Sequence, residues 1–200
     1  LFLGSQRALQ YGGEQLLKHQ VRLYNCVSGH CDRPSFFGEY FYILLCGAGA
    51  GFSVQKHHVG KLPQVILRNK QPKVYVVEDS IEGWASSIDV LLSSYFEDGG
   101  KYPEYKGHRI YFDLSKIRPK GSLISGGFKA PGSDPLRLAL DRVEHILQGI
   151  VLHSKKAMLR PIQVYDICMH IADAVLAGGV RRSATICLFS PDDEEMINAK

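Results

Sequence analysis

Three short stretches hold the residues best able to do chemistry. The first is Asn25-Cys26, a thiol set after a carboxamide in an apolar run. A thiol there can act as a redox group if it can reach a second cysteine, or it can simply be a small buried hydrophobe. The second is Cys46-Gly47-Ala48-Gly49-Ala50-Gly51-Phe52-Ser53-Val54-Gln55. Its glycines could let backbone N–H groups cradle a phosphate, or could let a strand and a helix pack closely. No Gly-Lys-Ser/Thr closes the run, so it is not a P-loop. The third is Ala177-Gly178-Gly179-Val180-Arg181-Arg182-Ser183-Ala184. Two hinge-capable glycines precede two planar guanidinium donors suited to phosphates and to base or carboxylate edges. A helix closed by glycine and leading into a strand would carry the same pattern.

Other groups invite chemistry less specifically. Cys26, His30 and Cys31 are zinc-ligand types, but a structural zinc site needs four ligands and no second Cys/His cluster follows at short spacing. No metal site is expected. The five cysteines are an odd count, which argues against a disulfide framework.

The elements that must position these residues read as alternating helices and strands, which places the chain in the α/β class. A helix is expected over Ser5–Gln20 and a strand over Val21–Val27. Asp32 as cap and Pro34 in the first turn begin a helix to about Leu45. Phe52–Val54 reads as strand, and Lys56–Lys73 as a basic irregular segment broken by Pro63 and Pro72. Asp79 or Ser80 caps a helix through Phe96, with Ile81, Trp84, Ala85, Ile88, Leu91, Leu92 and Tyr95 at helical spacing. Arg109–Leu114 alternates as a strand. Lys116–Asp134 reads as a long loop, followed by helices over Leu136–Leu147 and Ile162–Leu176. Thr185–Phe189 is a strand, and Pro191–Lys200 starts another helix.

Bulk properties bound the function. Two hundred residues at 45% hydrophobic and 22% charged suit one ordinary globular domain. A net charge of +4 fits a polyphosphate site but is too small for a duplex-binding surface, so no DNA or RNA polymer partner is expected. No apolar run reaches the roughly 18 residues that span a bilayer. With no membrane span and no signal peptide visible, the expected location is cytoplasmic. Leu1 is not methionine, and the chain stops in a predicted helix at Lys200. It therefore reads as a fragment of a longer protein.

Taken in order, Leu23-Tyr24-Asn25-Cys26, the glycine–alanine run, Phe112-Asp113-Leu114-Ser115-Lys116-Ile117-Arg118-Pro119-Lys120-Gly121, Ser125-Gly126-Gly127 and the Gly178–Ala184 segment resemble a known family. They are similar to the N-terminal half of the catalytic barrel of class II, adenosylcobalamin-dependent ribonucleotide reductases, from about Leu3 to Lys200. Glu82-Gly83-Trp84 resembles a helix of the monomeric triphosphate-reductase branch, in a segment inserted at about 64–107. The resemblance implies part of a ten-stranded α/β barrel of the ribonucleotide reductase and glycyl radical enzyme type. It also implies conversion of ribonucleotides to deoxyribonucleotides, with adenosylcobalamin held mostly by residues beyond Lys200.

By the same resemblance, Cys26 is one of two redox thiols that reduce the substrate, its partner lying beyond this chain. Asn25, Ala48, Gly49, Arg181, Arg182 and Ser183 would contact the substrate. Asp32, Lys56, Lys61, Gly178 and Gly179 would serve a deoxynucleoside triphosphate effector, with Asp32 alternatively a helix cap. A thioredoxin-like reductant is implied as partner. Two rival readings are a class I reductase large subunit and a non-catalytic nucleotide-binding module.

Overall fold

Strand β1 (Cys26–His30), helix α1 (Phe36–Leu45) and strand β2 (Gly49–Ser53) form a βαβ unit, with the two strands parallel and Cys26 opposite Gly49. The computed structural model describes residues 12–124, 128–152, 154–176 and 184–199. A short antiparallel pair joins β3 (Val65–Ile66) to β8 (Lys156–Ala157). Strands β4 (Lys70–Val76) and β5 (His108–Asp113) are parallel and are linked by the 15-residue helix α2 (Ile81–Tyr95), a second βαβ unit. Strands β6 (Leu123–Ile124) and β7 (Phe128–Lys129) make a small hairpin. Helices α3 (Asp134–Leu152) and α4 (Pro161–Leu176) follow, and β9 (Thr185–Leu188) returns to lie parallel beside β2. The chain is α/β. Among the described residues the sheets hold at most three strands and none closes, so the fold seen here is coarser than half of a ten-stranded barrel.

Parity along the strands gives the three-stranded sheet two unlike faces. Paired residues of parallel strands share a face, so Cys26, Ser28 and His30 align with Gly49, Gly51 and Ser53, and then with Ile186 and Leu188. The β1 members of this row are exposed, as are Ile186 and Leu188. The opposite face carries Ala50, Phe52 and Cys187 and packs into the core, where Phe52 meets Tyr40 of α1 and Tyr165 of α4.

The seam between α1 and α2 is closed by a glycine and a buried carboxylate. Asp89 of α2 accepts from the Gly38 N–H at 3.1 Å and from Lys101 Nζ at 2.8 Å, with its own side chain only 1% exposed. A Cβ on Gly38 would stand 2.2 Å from Asp89 Oδ2, so only glycine permits this approach. Gly83 plays a similar part in the first turn of α2, where a Cβ would stand 2.3 Å from the Glu78 carbonyl oxygen. Its neighbour Trp84 then reaches Phe41 of α1, with ring centroids 6.2 Å apart.

Several boundaries differ from the sequence reading. Only Glu14–Lys18 of the expected first helix is helical among the described residues, and residues 1–11 lie outside them. The expected strand at Val21 is a 3-10 turn over Gln20–Leu23, and β1 starts instead at Cys26. Helix α1 starts after Ser35, so Asp32 does not cap it; Asp32 pairs with Arg33 at 3.1 Å. Ser80 does cap α2, accepting from the Gly83 N–H at 3.0 Å. Helix α3 runs to Leu152 because Val151 extends the stripe Leu136, Leu140, Val143, Leu147 by one more turn. The last helix spans only Glu194–Ile197, capped by Asp193.

Candidate nucleotide and thiol site

The N-terminal ends of β1, β2 and β9 converge. The Asn25 carbonyl accepts from the Gly49 N–H at 2.8 Å, and the Ala184 carbonyl accepts from the Ala50 N–H at 2.9 Å. A Cβ placed on Gly49 would lie 3.4 Å from both Cys26 Sγ and the Ala184 oxygen. Asn25, Cys26, Gly49 and Ala184 therefore stand side by side, with Cys26 exposed on the open face. Gly49 and Gly51 leave that face without side chains beside the thiol, so a flat ligand can approach the main chain.

The glycine run does not present free donors. The N–H groups of Gly47, Ala48, Gly49 and Ala50 donate to the carbonyls of Leu44, Ile43, Asn25 and Ala184. The expected N–H cradle for phosphate is thus used up by the turn out of α1 and by the start of the ladder. What Ala48 and Gly49 offer a ligand is surface shape. Ala48 is itself buried, at 1% exposure.

Cys26 stands apart from the other thiols. Cys31, Cys46 and Cys168 are buried, and Cys187 is half-buried on the covered face. Burial first, then contact with Cys31, pushes the Cys168 thiol well up, and burial raises Cys187 to about 12. Neutral, covered thiols are poor nucleophiles. Among the described residues no group of three or more His, Cys, Asp and Glu side chains could hold a metal ion.

The charged residues read as an effector set sit elsewhere. Asp32, Lys56 and Lys61 lie past the C-terminal ends of β1 and β2, about 13 Å or more along the strands from Cys26 at 3.3 Å per residue. Each already has an opposite charge: Lys56 holds Asp192 at 3.0 Å, and Lys61 lies 3.9 Å from Asp32. His58 is beside them, stacked on His30 at 4.2 Å and touching Ser53 Oγ at 2.9 Å. Burial, then His57 and His30, holds His58 below the usual imidazole range. Gly178, Gly179, Arg181, Arg182 and Ser183 lie outside the described residues.

The sequence reading missed a cleft of about 290 Å³ that lies next to that segment in the chain. Its walls include Ala174 and Val175 at the end of α4, Ser80 at the start of α2, and the basic residues Arg22, Arg118 and Lys129. Arg118 donates to Asp79 at 2.6 Å. Asp79 and Glu82 line it too and Asp79 takes the Arg118 charge, so what favours an anion there is the positive end of the α2 dipole with Arg22 and Lys129 beside it. Two signals were in the sequence: the Ser80 cap and the Ile117-Arg118-Pro119 motif. Only folding shows that they share a wall.

No protein-family model matches the chain. The chain is similar to the adenosylcobalamin-dependent ribonucleoside-triphosphate reductase of Lactobacillus delbrueckii subsp. bulgaricus, 29% identical over 195 residues, covering 82% of this chain and 25% of that protein. A Dictyostelium discoideum protein named for the same activity is 33% identical over 131 residues, covering 64% of this chain and 15% of its own length. A relative from Mycobacterium phage D29 is 28% identical and covers 86% of this chain and 29% of its own. A crystal structure of a B-12 dependent, class II ribonucleotide reductase superposes with a TM-score of 0.68 at 28% identity, over 82% of this chain and 26% of that one. The chain spans about a quarter of the length of the Lactobacillus relative.

Proposed function

We propose that this homologue of the class II, adenosylcobalamin-dependent ribonucleotide reductases carries one redox thiol and part of the nucleotide cradle of such an enzyme. The observation that carries this reading is the alignment of exposed Cys26 with side-chain-free Gly49 and with Ala184, where the Gly178–Ala184 segment enters the sheet. A ribonucleotide laid over Gly49 and Gly51 brings its ribose to the Cys26 sulfur. In reducing the 2′ position the substrate takes up two electrons and two protons and loses its hydroxyl as water. Cys26 and a second thiol supply both and end as a disulfide. That second thiol is none of the described cysteines: Cys187 faces the other side of the sheet, and Cys31, Cys46 and Cys168 are buried. A thioredoxin-like dithiol would restore the pair by exchange.

Adenosylcobalamin would supply the radical that starts the reaction. The two clefts described here, at about 290 and 260 Å³, are each too small for a corrin with its nucleotide arm. This chain's part is therefore the thiol and the cradle. We assign this chain's three-stranded parallel sheet to a ten-stranded barrel, and the segment at about 64–107, with α2 at its centre, to an insertion that covers α1.

The deoxynucleoside triphosphate effector fits the cleft at the N-terminus of α2, where the helix dipole favours an anion, better than it fits Lys56 and Lys61, which are paired with Asp192 and Asp32. By the resemblance, Gly178 and Gly179 would serve this effector, and Arg181, Arg182 and Ser183 the substrate. The test is Cys26→Ser in the full-length protein, assayed with ribonucleotide, adenosylcobalamin and an external dithiol. Multiple turnover should vanish while nucleotide binding persists. Wild-type turnover by this variant would overturn the assignment.

A further inference from the structure

A second cleft, between β5 and α3, has a charge pattern that the thiol site does not use. Among the described residues Arg33, Arg68, Arg118, Arg142 and Arg160 each hold a carboxylate. Arg109 and Arg137 make no ion pair with a described residue, and both line this one cleft of about 260 Å³. They come from different elements, Arg109 from β5 and Arg137 from the first turn of α3. Glu144 also lines the cleft, but its charge is taken by Arg68, whose side chain is 7% exposed and lies 4.1 Å over the Tyr95 ring. Asp141, one turn along α3 from Arg137, remains as an acceptor. Tyr111 is 50% exposed at the same cleft, with Arg109 5.5 Å from its ring centre.

We propose that this cleft binds a nucleoside phosphate at a site separate from the thiol site and from the cleft at α2. Two guanidinium forks with no carboxylate partner match phosphoryl oxygens, which they can grip bidentately. Asp141 can accept from a ribose hydroxyl, and the open side of the Tyr111 ring can take a base face. The volume of about 260 Å³ falls just below the usual range for small-molecule sites, so a single nucleotide would lie partly outside the cleft. The two clefts share no lining residue.

The test is equilibrium dialysis of the full-length protein with labelled ADP, comparing wild type with Arg109→Gln, Arg137→Gln and the double variant. Both side chains are exposed, so the variants should melt with the wild type. Each single change should weaken one class of ADP sites about tenfold or more, and the double variant should abolish that class. Arg118→Gln, in the other cleft, should leave that class intact. Cys26→Ser should also leave it intact, so this reading and the thiol assignment can fail independently. Unchanged ADP binding in the double variant would overturn the site. Displacement by inorganic pyrophosphate as tight as by ADP would overturn the nucleoside part, leaving no role for Tyr111 and Asp141.

Discussion

Replacing Gly38 with alanine should loosen the contact between α1 and α2 by an amount that the geometry sets. The new Cβ would fall 2.2–2.3 Å from three atoms of the Asp89 carboxyl group, far inside van der Waals contact. Either α1 withdraws or Asp89 leaves its place, and both lose the Gly38 N–H to Asp89 bond of 3.1 Å. A hydrogen bond to a charged group contributes about 1.5–3 kcal/mol. Overpacking costs about 1–3 kcal/mol more. Against these stands the helix preference for alanine over glycine, about 1 kcal/mol. The net expected loss is about 1.5–5 kcal/mol. Urea unfolding followed by Trp84 fluorescence measures it, since Trp84 is the chain's single tryptophan and lies against Phe41 across this seam. In an Asp89→Ala background the same glycine replacement should be neutral or stabilising by up to about 1 kcal/mol. An equal loss in both backgrounds would refute the reasoning, because the cost would then not pass through Asp89.

Two further outcomes follow from the same coordinates. Burial raises Asp89 from 3.8 to about 6 despite Lys101 and the Gly38 N–H, so the native state holds this proton more tightly than the unfolded chain. Its contribution to stability is complete below about pH 4 and is lost as pH rises through 6, a swing of about 3 kcal/mol; Asp89→Asn should flatten urea midpoints across that window, and an unchanged slope would show that another group titrates. In a brief iodoacetamide pulse, peptide mapping should find Cys26 modified first, with Cys31, Cys46 and Cys168 protected by burial and Cys187 slow; equal labelling of Cys187 and Cys26 would contradict the two faces of the sheet.

Much of the fold could be read from patterns that stay local. Ser80 and the spacing Ile81, Trp84, Ile88, Leu91, Leu92 specify α2 almost to its ends, because cap and stripe are both encoded within one helix. Strand β9 and helix α4 were legible for the same reason. Asp32 was misleading, since an aspartate two residues ahead of a first-turn proline can equally pair with Arg33 and Lys61, which no spacing rule reveals. The exposure of Cys26 was also invisible: it depends on parity set by the pairing Cys26 to Gly49, a contact between distant residues. The glycine run misled about its donors because β1, α1 and β9 all claim them. Arg109 and Arg137 carried no signal at all, for they meet only after β5 and α3 pack.

The pairing of β2 with β9 has a consequence for how such a chain is made. Ala50 finds its neighbour Thr185 only after the three long helices between them, α2, α3 and α4, have emerged. Closing so long a loop is slow compared with forming β1, α1 and β2, which are adjacent in sequence. Until β9 arrives, β2 presents a bare edge able to pair with another chain, so nascent protein is prone to misassociate until β9 has been made. The Ala184 carbonyl is also missing from the row beside Cys26 until that moment. A half-made chain thus exposes Cys26 before the Ala184 carbonyl has completed the edge beside it.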